Sequence, residues 1–414
     1  MENEILTHLN QPQQLEKLYR QNKSAFKKAF SALYPELSDN SLAQFWHERL
    51  HYETDEIYWG TRRDLQFVII AALVAGILAK IPAIFSLDEE FFYPRNIGFI
   101  VFPLLTTYFA LKSHLEIRKT ALIIGVTVIS LIYINFLPNV KNSDTLILSC
   151  IHLILLLWAM LGFAYVGNQP GNLQKRLSFL RYNGDLLVMC ALLLISGGIL
   201  TGITINLFAI IGYKIEEIYF QYVVIMGLAA LPIVGTYITQ TNPQLVNKIS
   251  PVIARLFSPL VLITLVGYLV AIITSGKDPY NDREFLIIFN ALLVGVMAII
   301  LFSVAESAKN SQRQTEIIIL FLLSVVTVIV NGIALSAILF RISEWGITPN
   351  RAAVMGSNIL ILINLLLVAI KLWQVIIRKK DVSEVGKSIA FFLPVYACWA
   401  IIVTFIFPVI FGFK

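Results

Sequence analysis

A short polar segment contains the residue types best suited to binding an anion. Arg341 and Arg351 bound this segment, which separates two long apolar stretches at about 315–340 and 352–377. Arg341 and Glu344 share a helix face, because residues three apart are neighbours on a helix. Arg351 falls in the first turn of the next helix, where a cation opposes the helix dipole and needs a nearby anion. That anion is either Glu344, which is the more common arrangement, or a ligand or lipid headgroup.

Two helices must position these charged side chains. Gly346 is typical of the residue that follows a helix C-terminus, and Thr348 followed by Pro349 is typical of a helix start. The pattern therefore predicts that one helix ends at about Trp345 and that the next begins at about Thr348. Because the connection is so short, the two helices must be antiparallel neighbours.

Other polar residues lie inside apolar stretches that are long enough to be membrane spans. Most of them fall in the half of the span nearer the outer side of the membrane, as the distribution of Lys and Arg described below orients the chain. Charged and amide side chains at such depth usually face the bundle interior or a wet cavity. We therefore predict an outward-facing polar cavity that binds an anionic small molecule or a lipid headgroup. Its predicted ligand-binding residues are Arg341, Glu344, Arg351, Lys80, His152, Asn331, Asn358 and Arg95. In the alternative interpretation, each Asn makes one interhelical hydrogen bond and Lys80 extends toward the membrane interface.

The composition requires a membrane environment. Of the 414 residues, 57% are hydrophobic and 14% are charged, whereas soluble domains carry about 25% charged residues. Apolar stretches of about 20 residues cross a bilayer as helices. We predict an all-α, polytopic transmembrane helix bundle of about eleven spans. They lie at about 64–85, 97–112, 119–138, 144–167, 185–212, 218–239, 252–275, 285–306, 315–342, 350–377 and 387–411.

The basic residues predict the orientation of the bundle. The formal net charge is +6, but Lys and Arg concentrate in alternate loops. With a cytoplasmic N-terminus, the inner side carries 22 of the 32 Lys and Arg residues, the outer side eight and the spans two. This distribution follows the positive-inside rule, with the N-terminus inside and the C-terminus outside. The positive charge is therefore a topology signal, and no nucleic-acid partner is predicted.

The first 63 residues form a separate polar segment. They contain apolar positions at helical spacing, a break at 34–40 and a second amphipathic stretch. We predict that 1–63 is a cytoplasmic N-terminal helical hairpin and that 64–411 is the transmembrane helical domain. Between spans four and five, the stretch 172–181 has the composition of a basic interfacial helix on the cytoplasmic side.

Enzyme motifs are missing from the sequence. It contains no Walker loop, G-x-S-x-G, H-E-x-x-H or dinucleotide fingerprint, and we predict neither a metal site nor a cofactor. The acidic first outer loop, with Asp88, Glu89 and Glu90, resembles that of glycosyltransferases that use lipid-linked sugars, but it lacks room for their amphipathic helices. The leading prediction is a transporter or permease-like protein. The alternatives are a lipid-linked-sugar transferase-like membrane enzyme and a membrane scaffold or assembly partner.

The polar segment also carries a resemblance to a known family. The residues Arg341-Ile-x-Glu-x-Gly-x-Thr-x-Asn-Arg351, with the later Phe392-Leu-Pro-Val-Tyr-Ala-x-x-Ala400, resemble a signature of bacterial polytopic membrane proteins designated domain of unknown function 4153. The resemblance covers about 335–410. It implies a multi-pass protein of the bacterial inner (cytoplasmic) membrane, and it implies no activity.

Overall fold

The computed structural model of the chain describes residues 2–37, 39–51, 60–140, 143–211, 213–247, 249–275, 283–307, 314–378 and 381–413. The described elements are helical: the chain is 88% helix, and the described residues form no strand. The predicted all-α helix bundle is therefore confirmed. The chain divides into two compact units, Met1–Tyr58 and Trp59–Lys414.

The first unit is a small helical body. Its helices are α1 (Glu2–Thr7), α2 (Pro12–Gln21), α3 (Lys23–Leu33) and α4 (Ser41–His51), with a 3₁₀ turn at Tyr34–Glu36. The sequence pattern predicts a two-helix hairpin here. The described residues of this unit form four helices, because the chain also turns before Pro12 and at Asn22. Phe26, Phe30 and Trp46 are buried within this unit, which therefore has its own apolar core.

The second unit is built from long helices. In chain order they are α5 (Arg62–Ala79), α6 (Ile81–Phe85), α7 (Glu89–Lys112), α8 (Ile117–Phe136), α9 (Asp144–Val166), α10 (Leu173–Ile210), α11 (Glu216–Ile218), α12 (Ile225–Thr241), α13 (Gln244–Asn247), α14 (Ile249–Ser275), α15 (Arg283–Ser307), α16 (Gln314–Trp345), α17 (Pro349–Arg378), α18 (Ser383–Ile401) and α19 (Phe407–Ile410). The π-helical segment Tyr219–Val224 joins α11 to α12, and a second one, Ile402–Ile406, joins α18 to α19.

Among the described residues, eight helical stretches are long and apolar enough to cross a bilayer. They are Ile117–Phe136, Asp144–Val166, Leu173–Ile210, Glu216–Thr241, Gln244–Gly267, Gln314–Trp345, Pro349–Ile377 and Ser383–Ile410. The chain is therefore a multi-pass membrane protein. Of the other predicted spans, 64–85 is interrupted at Lys80, 97–112 forms most of α7, and 285–306 lies in α15, where a shorter apolar helix is found. The number of about eleven spans stays a prediction.

The hairpin of α16 and α17 confirms the predicted helix ends. Helix α16 ends at Trp345, Gly346 has a left-handed φ of +76°, and α17 begins at Pro349. The Thr348 hydroxyl accepts a hydrogen bond from the Arg351 amide at 3.3 Å, as an N-cap residue does. The two helices pack against each other as antiparallel neighbours.

A glycine lets α17 and α18 approach closely. Gly356 of α17 faces the ring of Trp399 on α18, so a Cβ atom at this glycine would lie 2.2 Å from that ring. The Trp399 indole N–H donates to the Ser357 hydroxyl at 3.0 Å. This hydrogen bond holds the indole against the glycine.

The π-helical segment Ile402–Ile406 offers carbonyls to two neighbouring helices. The Ser149 hydroxyl of α9 donates to the Thr404 carbonyl at 2.9 Å, and the Tyr133 hydroxyl of α8 donates to the Phe405 carbonyl at 3.0 Å. Side chains from other helices thus bond to backbone groups where the regular helical pattern changes.

The stretch 172–181 belongs to the long helix α10. This helix has 38 residues and is therefore about 57 Å long, compared with about 30 Å for the hydrocarbon core of a bilayer. Leu177, Phe179 and Tyr182 are buried near its start, and Arg181 forms an ion pair with Glu306 of α15 at 3.4 Å. The stretch therefore forms the first turns of α10, and its apolar residues pack into the core of the bundle. Its position at the cytoplasmic membrane interface stays a prediction.

Candidate functional site

Arg351 is neutralised by the end of the preceding helix. Its Nη1 donates to the Trp345 carbonyl at 2.9 Å and to the Gly346 carbonyl at 2.7 Å. Carbonyls at a helix C-terminus carry partial negative charge and are favourable partners for a guanidinium. Glu344, the partner that the sequence favours, is exposed and forms no ion pair with a described residue. The helix end thus supplies the negative charge that Arg351 requires.

Two guanidiniums lie close to the Trp345 indole. The Cζ atoms of Arg341 and Arg351 lie 5.7 Å and 5.6 Å from the centre of its ring, within the range of cation–π attraction. Arg341 is buried, whereas Trp345 is about half exposed. This end of the hairpin is therefore a basic and aromatic surface, of the kind that occurs at membrane interfaces.

Arg95 of α7 is the most deeply buried basic residue of the predicted site, with 3% of its surface exposed. Its Nη1 donates to the Phe91 carbonyl and its Nη2 to Asn139 Oδ1, both at 3.3 Å. Its Nε is buried and has no hydrogen-bond partner. No carboxylate of the described residues lies within 4 Å of it. Burying a charge without a counter-charge is costly. The surroundings of Arg95 therefore lack the negatively charged partner that a buried cation requires.

Two amides outside the predicted site fix the helices beside Arg95. Asn96 of α7 and Asn135 of α8 exchange hydrogen bonds at 2.9 Å and 2.8 Å. The Tyr93 hydroxyl donates to the Ala79 carbonyl at the end of α5, at 3.0 Å. The sequence shows that Asn96 follows Arg95 directly, but only helix packing shows which residue it meets.

Three asparagines connect α15, α16 and α17. The Asn331 amide donates to the Asn358 backbone carbonyl at 3.2 Å, and the Asn358 amide donates to Asn290 Oδ1 at 2.9 Å. Asn331 is fully buried, and its Oδ1 has no hydrogen-bond partner. These residues therefore make the interhelical hydrogen bonds of the alternative interpretation, with one buried acceptor left over.

Lys80 and His152 lie in separate surroundings. The Lys80 ammonium is 4.7 Å from the centre of the Tyr222 ring, and His152 Nδ1 is 2.9 Å from the Leu148 carbonyl. Both side chains are buried. Within the described part of the chain, only Asn331 and Asn358 of the eight predicted site residues are hydrogen-bonded to each other.

The acidic first outer loop helps to start α7. Asp88 is the N-cap residue of this helix, and its Oδ1 accepts a hydrogen bond from the Glu90 amide at 3.0 Å. Among the residues that the structure describes, no group of three or more His, Cys, Asp or Glu side chains is arranged to hold a metal ion.

Polar contacts also join the helices at the opposite end of the bundle. The Tyr182 and Thr236 hydroxyls lie 2.7 Å apart, and the Trp158 indole donates to Asn183 Oδ1 at 2.8 Å. Tyr and Trp present mostly apolar surface, so hydropathy does not signal the polar group at one end of each side chain. The polarity of the bundle is therefore less one-sided than the sequence predicts.

Comparisons with known proteins return no match: no family model, no curated protein and no solved structure matches the chain. The resemblance of about 335–410 to domain of unknown function 4153 therefore stays a prediction. The polar contacts of this multi-pass membrane protein are the basis for its proposed function.

Proposed function

We propose that the protein is a transporter or permease-like protein of a bacterial inner membrane, with a cytoplasmic N-terminus and an external C-terminus. It admits an anionic or headgroup-bearing ligand from the outer side. The observation that carries this proposal is the buried Asn331 Oδ1, which has no donor although Asn290, Asn358 and Asn331 are connected by hydrogen bonds within three membrane helices.

These asparagines lie deep in the bundle and are directed at neighbouring helices. Asn358 is nine residues beyond Pro349, where α17 starts, which is about 14 Å along the helix. Polar side chains at such depth are costly in a bilayer and usually face the bundle interior or a water-filled cavity. Leaving the buried Asn331 oxygen without a donor costs about 1–3 kcal/mol. Water or a polar ligand that enters the bundle would supply that donor.

The charge of the ligand is inferred from two buried cations. Lys80 and Arg95 are 9% and 3% exposed, and neither has a carboxylate within 4 Å among the described residues. A buried cation without an anionic partner is stabilised by an anion that reaches it. In the proposed topology, both residues lie near the outer ends of their helices.

The proposal predicts that water reaches Asn358 from outside. We would replace Cys150, Cys190 and Cys398 with Ser, introduce Asn358→Cys, and apply a membrane-impermeant anionic methanethiosulfonate to each side of reconstituted vesicles. Asn358 is 2% exposed, so labelling requires that the bundle opens. We expect labelling from the outside, because a thiol in a hydrated pathway ionises and reacts.

Ile359 is the matched control for this experiment. It is the next residue of α17 and is 38% exposed on the surface of the bundle, where lipid would surround it. Ile359→Cys should resist the reagent, because a thiol in hydrocarbon stays protonated. If Asn358→Cys also resists from both sides, the bundle is dry and the scaffold alternative replaces the transporter. Labelling from the cytoplasmic side alone would contradict an outward-facing cavity.

A further inference from the structure

We propose that Arg95 is the centre of an oxyanion site between α7 and the loop that follows α8, and that its ligand carries a phosphate-type group. The inference deepens the proposed function and rests on it in one respect, since the proposed topology places this end of α7 outside.

The charge of Arg95 is not balanced by the described protein. Only 3% of the surface of this residue is exposed. Its hydrogen-bond acceptors are a backbone carbonyl of Phe91 and the amide oxygen of Asn139. Both acceptors are neutral, and both distances of 3.3 Å are long for a guanidinium, whose bonds to carboxylates are about 2.7–2.9 Å. The site therefore has a positive charge that a stronger, anionic acceptor would neutralise.

The donors that remain free suit an oxyanion. A guanidinium has five N–H groups, and the contacts of Arg95 with Phe91 and Asn139 use two of them. Its buried Nε has no acceptor. The Nε and Nη2 groups lie on one edge of the guanidinium and match two oxygens of a phosphate or carboxylate. Because Asn139 is exposed at the end of its loop, its amide is free to move away when a ligand takes its place.

The guanidinium is held in place before any ligand arrives. Its Cζ atom lies 4.1 Å from the centre of the Phe91 ring, and this stacking restricts its plane. The two hydrogen bonds between Asn96 and Asn135 fix α7 against α8 at the adjacent position. A pre-positioned donor loses little conformational entropy on binding, which increases affinity.

A lipid headgroup and a free phosphate share this chemistry, and the experiment separates them. Full-length protein would be purified in micelles of a maltoside detergent, which contains no phosphate. Thermal unfolding would then be followed with either inorganic phosphate, against chloride at equal ionic strength, or added phosphatidylglycerol. We expect the unfolding temperature to rise by roughly 2–5 °C with at least one saturating probe. A shift with phosphatidylglycerol alone identifies a lipid ligand, and a shift with inorganic phosphate identifies a soluble one.

Arg95→Gln should remove that shift, with the affinity for the effective probe falling about 10- to 100-fold. Arg118→Gln is the matched control, because Arg118 is exposed near the start of α8 and has no described partner. It should keep the full shift. The proposal is overturned if neither probe stabilises the native protein, or if Arg95→Gln responds as the native protein does.

A second variant covers the case in which Arg95→Gln does not fold. Asn139→Ala removes the neutral acceptor that competes with the ligand, so it should preserve or increase the affinity for the effective probe. If Arg95 only ties α7 to the loop after α8, Asn139→Ala lowers the unfolding temperature and weakens or abolishes the response, and the proposal fails. The cysteine experiment at Asn358 tests transport separately. If a probe stabilises the protein while Asn358→Cys resists labelling from both sides, the transporter proposal is refuted and the oxyanion site at Arg95 is retained.

Discussion

At the residue scale, the same residue type is neutralised in different ways within one protein. Arg351 bonds to the carbonyls that end α16, whereas Arg95 has one carbonyl, one amide and a buried Nε without a partner. A structural arginine has its positive charge matched by partial negative charges nearby. By this criterion Arg351 anchors the hairpin, and Arg95 is the better candidate for ligand binding.

Arg351→Gln tests the anchoring role. The shorter neutral side chain loses the charge-assisted bonds to Trp345 and Gly346, so we expect the protein to be destabilised by about 1–3 kcal/mol. Thermal unfolding of the purified protein measures the change. Glu344→Gln is the control and should change stability by less than about 0.5 kcal/mol, because exposed Glu344 has no described partner. An unaltered unfolding temperature in Arg351→Gln would contradict the anchoring role.

At the element scale, local signals define helix ends and tertiary contacts define how closely helices pack. Gly346 and Thr348 mark the ends of α16 and α17 through backbone conformation and capping, which depend on a few neighbouring residues. The approach of α17 to α18 instead depends on Gly356 meeting Trp399. Glycine is common in membrane helices, so its presence does not reveal which glycines have a close neighbour.

Gly356→Ala tests this close packing. The new methyl group would lie 2.2 Å from the Trp399 ring, and the ring is held by its hydrogen bond to Ser357. We expect a loss of about 1–3 kcal/mol in stability, because the helices must separate or the indole must leave its position. Gly125→Ala is the control, since no atom beyond the adjoining backbone of its own helix and its two chain neighbours lies within 4 Å of a Cβ there. Equal unfolding temperatures for the two variants would show that α17 and α18 separate without cost.

At the scale of the whole molecule, hydropathy determines that the chain crosses the membrane, and the distribution of charge determines its orientation. The eight apolar helical stretches found among the described residues make the chain a multi-pass membrane protein. The side of the membrane on which each loop lies depends on the distribution of Lys and Arg. The N-in, C-out orientation therefore stays a prediction that needs its own experiment.

Cysteines at two exposed positions test that orientation. In the cysteine-free background, Lys214→Cys lies between α10 and α11 and should react with an impermeant thiol reagent from the outside. Arg118→Cys, near the start of α8, should react from the cytoplasm. Both native residues are exposed in the structure, so access within each compartment is assured. Labelling in the reverse pattern would invert the bundle and place Arg95 at the cytoplasmic end.

The sequence by itself determined the membrane class, the helical architecture and the ends of the α16–α17 hairpin. These follow from the length of apolar stretches and from capping residues, which act over a few residues. It also identified Asn331 and Asn358 as polar residues inside apolar spans. It placed Arg95 in the first outer loop, whereas the structure buries this residue in α7. It did not identify their partners.

Only the tertiary structure decided which polar groups meet. Asn358 donates a hydrogen bond to Asn290, which is 68 residues away in the sequence, and Arg95 donates one to Asn139, which is 44 residues away. Such pairs depend on which helices become neighbours and on their rotation, and hydropathy does not contain this information because a lipid-facing stretch and a buried one are equally apolar. The four-helix N-terminal unit and the burial of the first turns of α10 were decided in the same way, by contacts with distant residues.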